Sequence, residues 1–151
     1  MASYVKYFQF VEDMAGKVHD LFGTAGATAD TLKVVLSNTA GDVAQTLATL
    51  SQITEIAAGN GYSTGGQSVQ NVGVRASGTM TVTCSTVTFT ASGGTIGPFR
   101  YAIVYNDTPT SPADPLICSF DYGSALTLQN GESFVIRWNS NPTSGTLFTL
   151  A

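Results

Sequence analysis

The sequence predicts a mainly β protein, an antiparallel β-sandwich of jelly-roll-like type with an amphipathic helix at its N-terminus. Three observations carry this prediction. Short segments alternate between apolar and polar residues, as half-buried strands do. Turns rich in Gly, Asn and Pro separate these segments at short intervals, which is typical of sandwiches and barrels. Most of residues 99–105 are apolar on both sides of the alternation, so this segment is expected in the middle of the fold with both faces buried.

The composition is that of one folded domain with little charge. A chain of 151 residues suits a single domain with its own hydrophobic core. Charged residues make up 11% of the chain, roughly half of the usual share of about 25%. A surface with so little charge repels its copies weakly and suits a protein that packs against other copies or a large partner. An ordinary soluble β domain with Thr-rich strands explains the composition equally well.

Charge and hydropathy exclude two classes of partner. The formal net charge is −4, and the cations are scattered along the chain at Lys6, Lys17, Lys33, Arg75, Arg100 and Arg137. Binding to phosphates needs clustered cations, so no nucleic-acid partner is expected. No stretch approaches the roughly 18 apolar residues of a membrane span, and no signal-peptide pattern opens the chain. We therefore expect synthesis in a cytoplasm and no membrane partner.

Residues 4–22 predict the amphipathic helix. Its apolar residues recur at spacings of three and four, the period of one helical face: Tyr4, Phe8, Val11, Ala15, Val18 and Phe22. Gly23 is expected to end the helix, and residues 24–29 read as a flexible connector. The chain therefore divides into an N-terminal helix or arm over residues 1–23 and a β-sandwich over residues 30–151. The helix could pack on its own sheet or dock on a neighbouring subunit.

The first strand is expected at residues 31–38, with Leu32, Val34 and Leu36 facing the core. Apolar residues at three-residue spacing then predict a short helix over residues 43–56. Residues 59–66 contain four glycines and read as a long turn.

The second half begins with a perfectly alternating segment, residues 79–84, in which Thr faces outward. The alternation slips by one position at residues 85–86, and the next apolar residues are Val87 and Phe89. Because a slip of one residue turns every side chain to the other face, we expect a bulge or tight turn there.

The segment 99–105 and a strand at residues 116–122 predict a hairpin with a long loop. Further strands are expected at residues 125–128, 134–138 and 145–151, with a turn at 139–144. Asn130-Gly131 is a strong signal for a tight β-hairpin between two of these strands.

The sequence contains no recognisable set of catalytic residues, so the protein is not expected to be an enzyme. His19 is the single histidine and is interpreted as a solvated helix residue. With one His and two distant Cys, neither a nucleophile–histidine set nor a zinc site can be assembled. Cys84 and Cys118 fall on the apolar side of predicted strands, which favours buried free thiols over a disulfide. No metal or other cofactor is predicted.

Among the carboxylates, Asp121 lies between two aromatic residues and is the most interesting candidate for a site. Asp107 and Asp114 fit turns, where Asp bonds to the local backbone. Arg100 is the one charged residue of the central segment and is expected to anchor a salt bridge or hydrogen bond. Several aromatic residues could stack on sugars, but core packing explains most of them: Tyr62, Tyr101, Tyr105, Tyr122 and Trp138.

Six segments, spread over nearly the whole chain, carry a resemblance to a known group of proteins. They are residues 10–19 (FVEDMAGKVH), 30–39 (DTLKVVLSNT), 53–66 (ITEIAAGNGYSTGG), 97–108 (GPFRYAIVYNDT), 115–117 (PLI) and 121–123 (DYG). These segments resemble those of virion proteins of tailed bacteriophages. The group includes capsid decoration, or cement, proteins with a jelly-roll-type sandwich. Members often carry an aromatic pair after Leu-Ile, where this chain has Cys118-Ser119.

The resemblance implies a protein that binds the outer surface of the shell of major capsid proteins and stabilises the head. It implies a location on the virion, self-association into dimers or trimers, and no catalytic residue or cofactor. Candidate contact residues lie on the predicted helix and on two exposed loops: Tyr4, Phe8, Val11, Asn60, Tyr62, Thr108 and Asp114. The loops could equally be plain surface turns. The alternative is a tail or fibre-associated protein that binds a host glycan or receptor.

Overall fold

The computed structural model describes residues 3–22, 29–138 and 144–151. Within them the chain forms one α-helix, α1 (Gln9–Ala15), and ten strands. The strands are β1 (Ser3–Lys6), β2 (Leu32–Ser37), β3 (Gln67–Val69), β4 (Asn71–Ala76), β5 (Thr79–Ser85), β6 (Val87–Thr90), β7 (Ile96–Asn106), β8 (Leu116–Leu128), β9 (Ser133–Ile136) and β10 (Ser144–Leu150).

The strands form three antiparallel sheets. The large sheet has the order β1-β8-β7-β2-β3, the second has the order β10-β5-β4, and β6 pairs with β9. Apolar residues from all three sheets meet in one main core, to which Leu36, Val82 and Phe89 belong. The predicted class, an antiparallel β-sandwich-like fold with one helix near the N-terminus, is confirmed.

The central strand is β7, which pairs with β8 on one side and β2 on the other. Its residues Ala102 and Val104 belong to the main core. Ile103 and Tyr105 project to the opposite face and enter a second, smaller core with Tyr7 and other residues. The prediction of a segment buried on both faces is confirmed, because the large sheet separates two apolar layers.

The slip in alternation marks a change of sheet. β5 pairs with β4 and β10, whereas β6 pairs with β9. Val87 and Phe89 are buried after the change, as expected. Cys84 and Cys118 are buried free thiols, also as expected.

The prediction of one helix over residues 4–22 is wrong. The observed helix is much shorter, and part of the segment is a strand. Residues 3–6 form a strand that pairs with β8, and α1 spans only seven residues. Lys17 then takes a left-handed backbone conformation (φ 62°), which cannot continue a helix. The N-terminal segment thus adds an edge strand to the large sheet and is no separate helical arm. Gly23 and nearly all of the predicted connector lie outside the described residues.

The helix predicted over residues 43–56 is also wrong. That region contains two 3₁₀ turns, Ala40–Val43 and Leu50–Gln52, joined by irregular chain. The buried Asp42 carboxylate accepts bonds from Ser37 Oγ (2.5 Å) and the Thr54 backbone N–H (2.9 Å), which hold the segment in this shape. The three-residue apolar spacing reflects packing on the second core, where Leu47, Leu50 and Ile53 lie.

The hairpin predicted at Asn130-Gly131 is wrong in its pairing. The turn exists, but β9 pairs with β6, in the register Phe89↔Phe134, and does not return along β8. The Gly131 backbone N–H donates to the Ala91 carbonyl (2.8 Å), which directs the chain toward β6. Residues 125–128 continue β8 and do not form a separate strand. The turn at 139–144 lies almost wholly outside the described residues, and β10 confirms the last strand.

Candidate functional site

Three of the predicted contact residues are exposed on the N-terminal segment. The exposed fractions are 44% for Tyr4, 57% for Phe8 and 51% for Val11. The same segment buries Tyr7, whose hydroxyl donates to the Asp42 carbonyl (2.5 Å), and Phe10. The Phe8 backbone N–H donates to the Gln45 carbonyl (2.8 Å). The exposed apolar side chains are therefore carried on a backbone that is fixed to the fold on both sides of them.

Tyr62 is not a surface contact residue. Only 3% of it is exposed, and it belongs to the main core. Its hydroxyl donates to Glu55 Oε1 (2.6 Å) and accepts from the Leu36 backbone N–H (3.0 Å). The Gly65 N–H also donates to Glu55 (2.9 Å), so this carboxylate folds the loop inward around the ring.

The remaining loop residues have local structural partners. Asn60 is exposed, and its amide donates to the Thr95 carbonyl (2.9 Å). Thr108 is exposed, and its Oγ accepts from the Thr31 N–H (2.8 Å). Asp114 is half-buried with φ 51°, and burial is the main cause that raises the pKa of its carboxyl. Of the four predicted contact residues in the loops, Asn60 and Thr108 are exposed, Asp114 is half-buried and Tyr62 is buried.

An aromatic cleft lies between the large sheet and strands β9 and β10. Its volume is about 140 Å³. Apolar side chains form most of its wall, namely Phe99, Ala102, Phe120, Tyr122, Phe134, Ile136, Trp138 and Leu147. The other lining residues are Arg100, Tyr101, Arg137 and Thr146. None of the seven predicted contact residues lines this cleft.

The rings of the cleft are held in place by one another. Phe134 stands edge-on to Phe99, with centroids 5.0 Å apart, and edge-on to Tyr122, at 5.9 Å. Phe120 and Trp138 meet in the same way at 5.7 Å. The indole N–H of Trp138 donates to the Ser85 carbonyl (2.6 Å). Such edge-to-face packing is the arrangement that aromatic pairs prefer, so the walls are preformed.

An ion pair borders the cleft. Arg100 donates from Nε to Asp121 Oδ1 (2.7 Å) and from Nη2 to Oδ2 (2.8 Å). The Gly123 N–H also donates to Asp121 Oδ1 (2.7 Å). The bond from Arg100 is the main cause that lowers the pKa of Asp121, and the bond from Gly123 adds to it. Arg100 is thus the predicted anchor, and Asp121 is its ion-pair partner.

Sequence reasoning named some residues of the cleft but did not assemble them. Phe120 and Tyr122 are two positions apart on β8, and Phe134 and Ile136 are two positions apart on β9. Period-two spacing places each pair on one face of its strand. That signal could have indicated two aromatic faces, although it could not indicate that they meet.

His19 is a buried core residue, so its interpretation as a solvated helix residue is wrong. Only 7% of it is exposed. The Asn106 amide N–H donates to its Nδ1 (2.9 Å), and Thr108 N–H fixes the amide orientation by donating to Asn106 Oδ1 (3.1 Å). His19 Nδ1 is therefore an acceptor, and the ring proton lies on Nε2, 4.0 Å from Asp13 Oδ2. This neutral imidazole joins the N-terminal segment to the end of the central strand.

Acidification should destabilise the fold through His19. Burial lowers the pKa of His19 and outweighs the opposite effect of the Asp13 and Asp30 carboxylates. Just below the ordinary pKa of about 6.5, the unfolded chain therefore binds more protons than the folded one, and stability falls as the pH falls. Protonation would also place an N–H on Nδ1 against the Asn106 donor. We expect the free energy of unfolding, measured in urea from pH 8 to pH 5, to depend less on pH in His19→Gln. Equal slopes in both proteins would contradict this role.

Among the described residues, no group of three or more His, Cys, Asp or Glu side chains is placed to hold a metal ion. No helix within the described ranges has the length and apolar character needed to cross a membrane. Comparison with protein-family models, curated proteins and solved structures finds no match to this chain.

Proposed function

We propose that this protein decorates the capsid of a tailed bacteriophage, where it binds the outer surface of the major capsid protein shell and stabilises the head. The observation that carries the proposal is the exposed apolar set Tyr4, Phe8 and Val11 on a firmly held N-terminal segment. The resemblance of the sequence segments to phage virion proteins supports it. The low charge, 11% of residues, also suits a surface that packs against other protein.

The contact energy fits a decoration role. Each of the three side chains exposes about half of its surface, and full burial of such a side chain stabilises by about 1.5–3 kcal/mol. Burying the exposed half should therefore contribute about 1 kcal/mol per residue, or about 3 kcal/mol per copy. Many copies on one shell then act together through multivalency. Dimers or trimers of the protein would match the two-fold or three-fold symmetry of the shell.

Replacing the three residues together (Tyr4→Ser, Phe8→Ser, Val11→Ser) should weaken binding to expanded shells about a hundredfold, because about 3 kcal/mol of apolar contact is lost. Co-sedimentation with purified shells measures the affinity. The matched control is Val72→Ser with Val74→Ser, two residues on edge strand β4 that are as exposed as the first set. The control should bind like the wild type, and thermal melting should show that both variants are folded.

Equal binding by the triple variant and the control would contradict the N-terminal contact. Electron microscopy of virions tests the location itself. Density on the shell is expected, whereas density at the tail tip would overturn the proposal and favour a tail or fibre-associated protein that binds a host glycan or receptor.

A further inference from the structure

The aromatic cleft has the size of a single six-membered ring. Its volume is about 140 Å³, and its wall is mostly apolar. A comparable apolar cavity of about 150 Å³, engineered in another protein, stays dry and binds benzene. The space is therefore suited to one six-membered ring.

The walls would receive a ring without reorganising. Phe134 is already held between Phe99 and Tyr122, and Trp138 is fixed by its hydrogen bond to Ser85. Ring edges and faces therefore already surround the space, and an inserted ring could make edge-to-face contacts with them. A preformed site loses little side-chain freedom when it binds, which favours affinity.

Both charged residues that line the cleft are cations, although the chain as a whole carries −4. Two of the six cations, Arg100 and Arg137, line the cleft. Asp121 neutralises Arg100. Arg137 is exposed, and no carboxylate lies within 4.0 Å of it in the part of the chain that the structure describes. Because Arg137 is one of the lining residues, its guanidinium can pair with a carboxylate attached to a group bound in the cleft.

We propose that the cleft binds a small aromatic acid, a compound with one planar ring and one acidic group. The ring lies among Phe99, Phe134 and Trp138, and the acid pairs with Arg137. The proposal does not depend on shell binding, because the residues that test it lie outside the N-terminal segment.

Benzoate is the probe, and Trp138 is the reporter because it is the only tryptophan in the chain. Benzoate should change the fluorescence of Trp138 in a saturable way and raise the melting temperature by mass action. Benzyl alcohol has the same ring without the charge and should bind about fivefold more weakly. The reason is that an exposed ion pair contributes up to about 1 kcal/mol, which is about fivefold in affinity. Acetate has the charge without the ring and should not bind.

Two variants locate the site. Arg137→Gln should weaken benzoate about fivefold and remove its preference over benzyl alcohol. Arg75→Gln is the matched control, since Arg75 is an exposed cation on β4 that does not line the cleft. Ala102→Leu should fill the cavity and abolish binding of both ring compounds.

Three results would each overturn the proposal. The first is the absence of a saturable benzoate signal in the wild type. The second is unchanged benzoate affinity in Arg137→Gln, which is an exposed substitution that should fold normally. The third is unchanged affinity in a folded Ala102→Leu protein.

Discussion

Replacing Gly66 with alanine should lower the free energy of unfolding by about 4 kcal/mol. Gly66 takes φ +69°, where an L-residue costs about 1–2 kcal/mol. An added Cβ would also overlap the Val34 carbonyl oxygen on β2. That oxygen belongs to backbone paired within the large sheet, so it cannot rotate away, and overpacking of this kind costs about 1–3 kcal/mol or more.

Gly78→Ala is the matched control for this effect. Gly78 takes φ +83°, but an added Cβ there meets nothing within 4 Å. This variant should lose only the conformational cost, about 1–2 kcal/mol. Urea unfolding measures the free energy of unfolding of both variants. Equal losses in the two variants would contradict a steric cost from the contact with β2.

The Gly66 substitution should also disturb the loop that contains it. The Tyr105 hydroxyl donates to the Gly65 carbonyl (2.9 Å), and the Gly65 N–H donates to Glu55 (2.9 Å). A shift at Gly66 would break these bonds and leave the Glu55 carboxylate with fewer donors. We expect faster hydrogen exchange at Gly65 in Gly66→Ala than in Gly78→Ala.

Replacing Ile103 with alanine should lower the free energy of unfolding by about 3 kcal/mol. Ile103 is fully buried in the second core, between the large sheet and the segment that carries Leu47. The substitution removes buried apolar carbons of the side chain and leaves a cavity. Such substitutions lower the free energy of unfolding by about 2–5 kcal/mol. Val72→Ala is the control, because Val72 is 55% exposed, and it should change stability by less than about 0.5 kcal/mol.

The same variant tests how the N-terminal segment is held. Tyr7 lies in the second core with Ile103, and Phe8 follows it directly. Loss of Ile103 should therefore loosen the backbone that presents Phe8, and hydrogen exchange at Phe8 should become faster. A stability loss below about 1 kcal/mol would mean that the second core closes over the missing carbons.

Several features could be predicted from the sequence because they depend on neighbouring residues. Within residues 99–105, both alternating sets of side chains are mostly apolar, which indicated a strand buried on both faces. Strand β7 is buried in this way. The slip before Val87 and Phe89 indicated an interruption, and the chain changes sheet there. Arg100 stood out as the single charge in an apolar strand, where an unpaired cation is costly, so a partner was expected.

Several of the errors concern residues whose environment is distant in sequence. The apolar spacing of residues 4–22 is helical, yet pairing with β8, more than 100 positions away, makes residues 3–6 a strand. Asn130-Gly131 is a typical hairpin turn, yet contacts with Ala91 direct the chain elsewhere. The candidate cleft was missed for the same reason, since β7, β8, β9 and β10 all contribute to it.

The sequence by itself determined the fold class, the central strand, the interruption before Val87 and the burial of both thiols. These follow from side-chain alternation and turn chemistry, which act over a few residues. Only the tertiary structure decided that β9 pairs with β6, that Tyr62 is buried on Glu55, and that His19 lies against Asn106, 87 positions away. Those outcomes depend on which apolar faces pack together, and no local pattern contains that information.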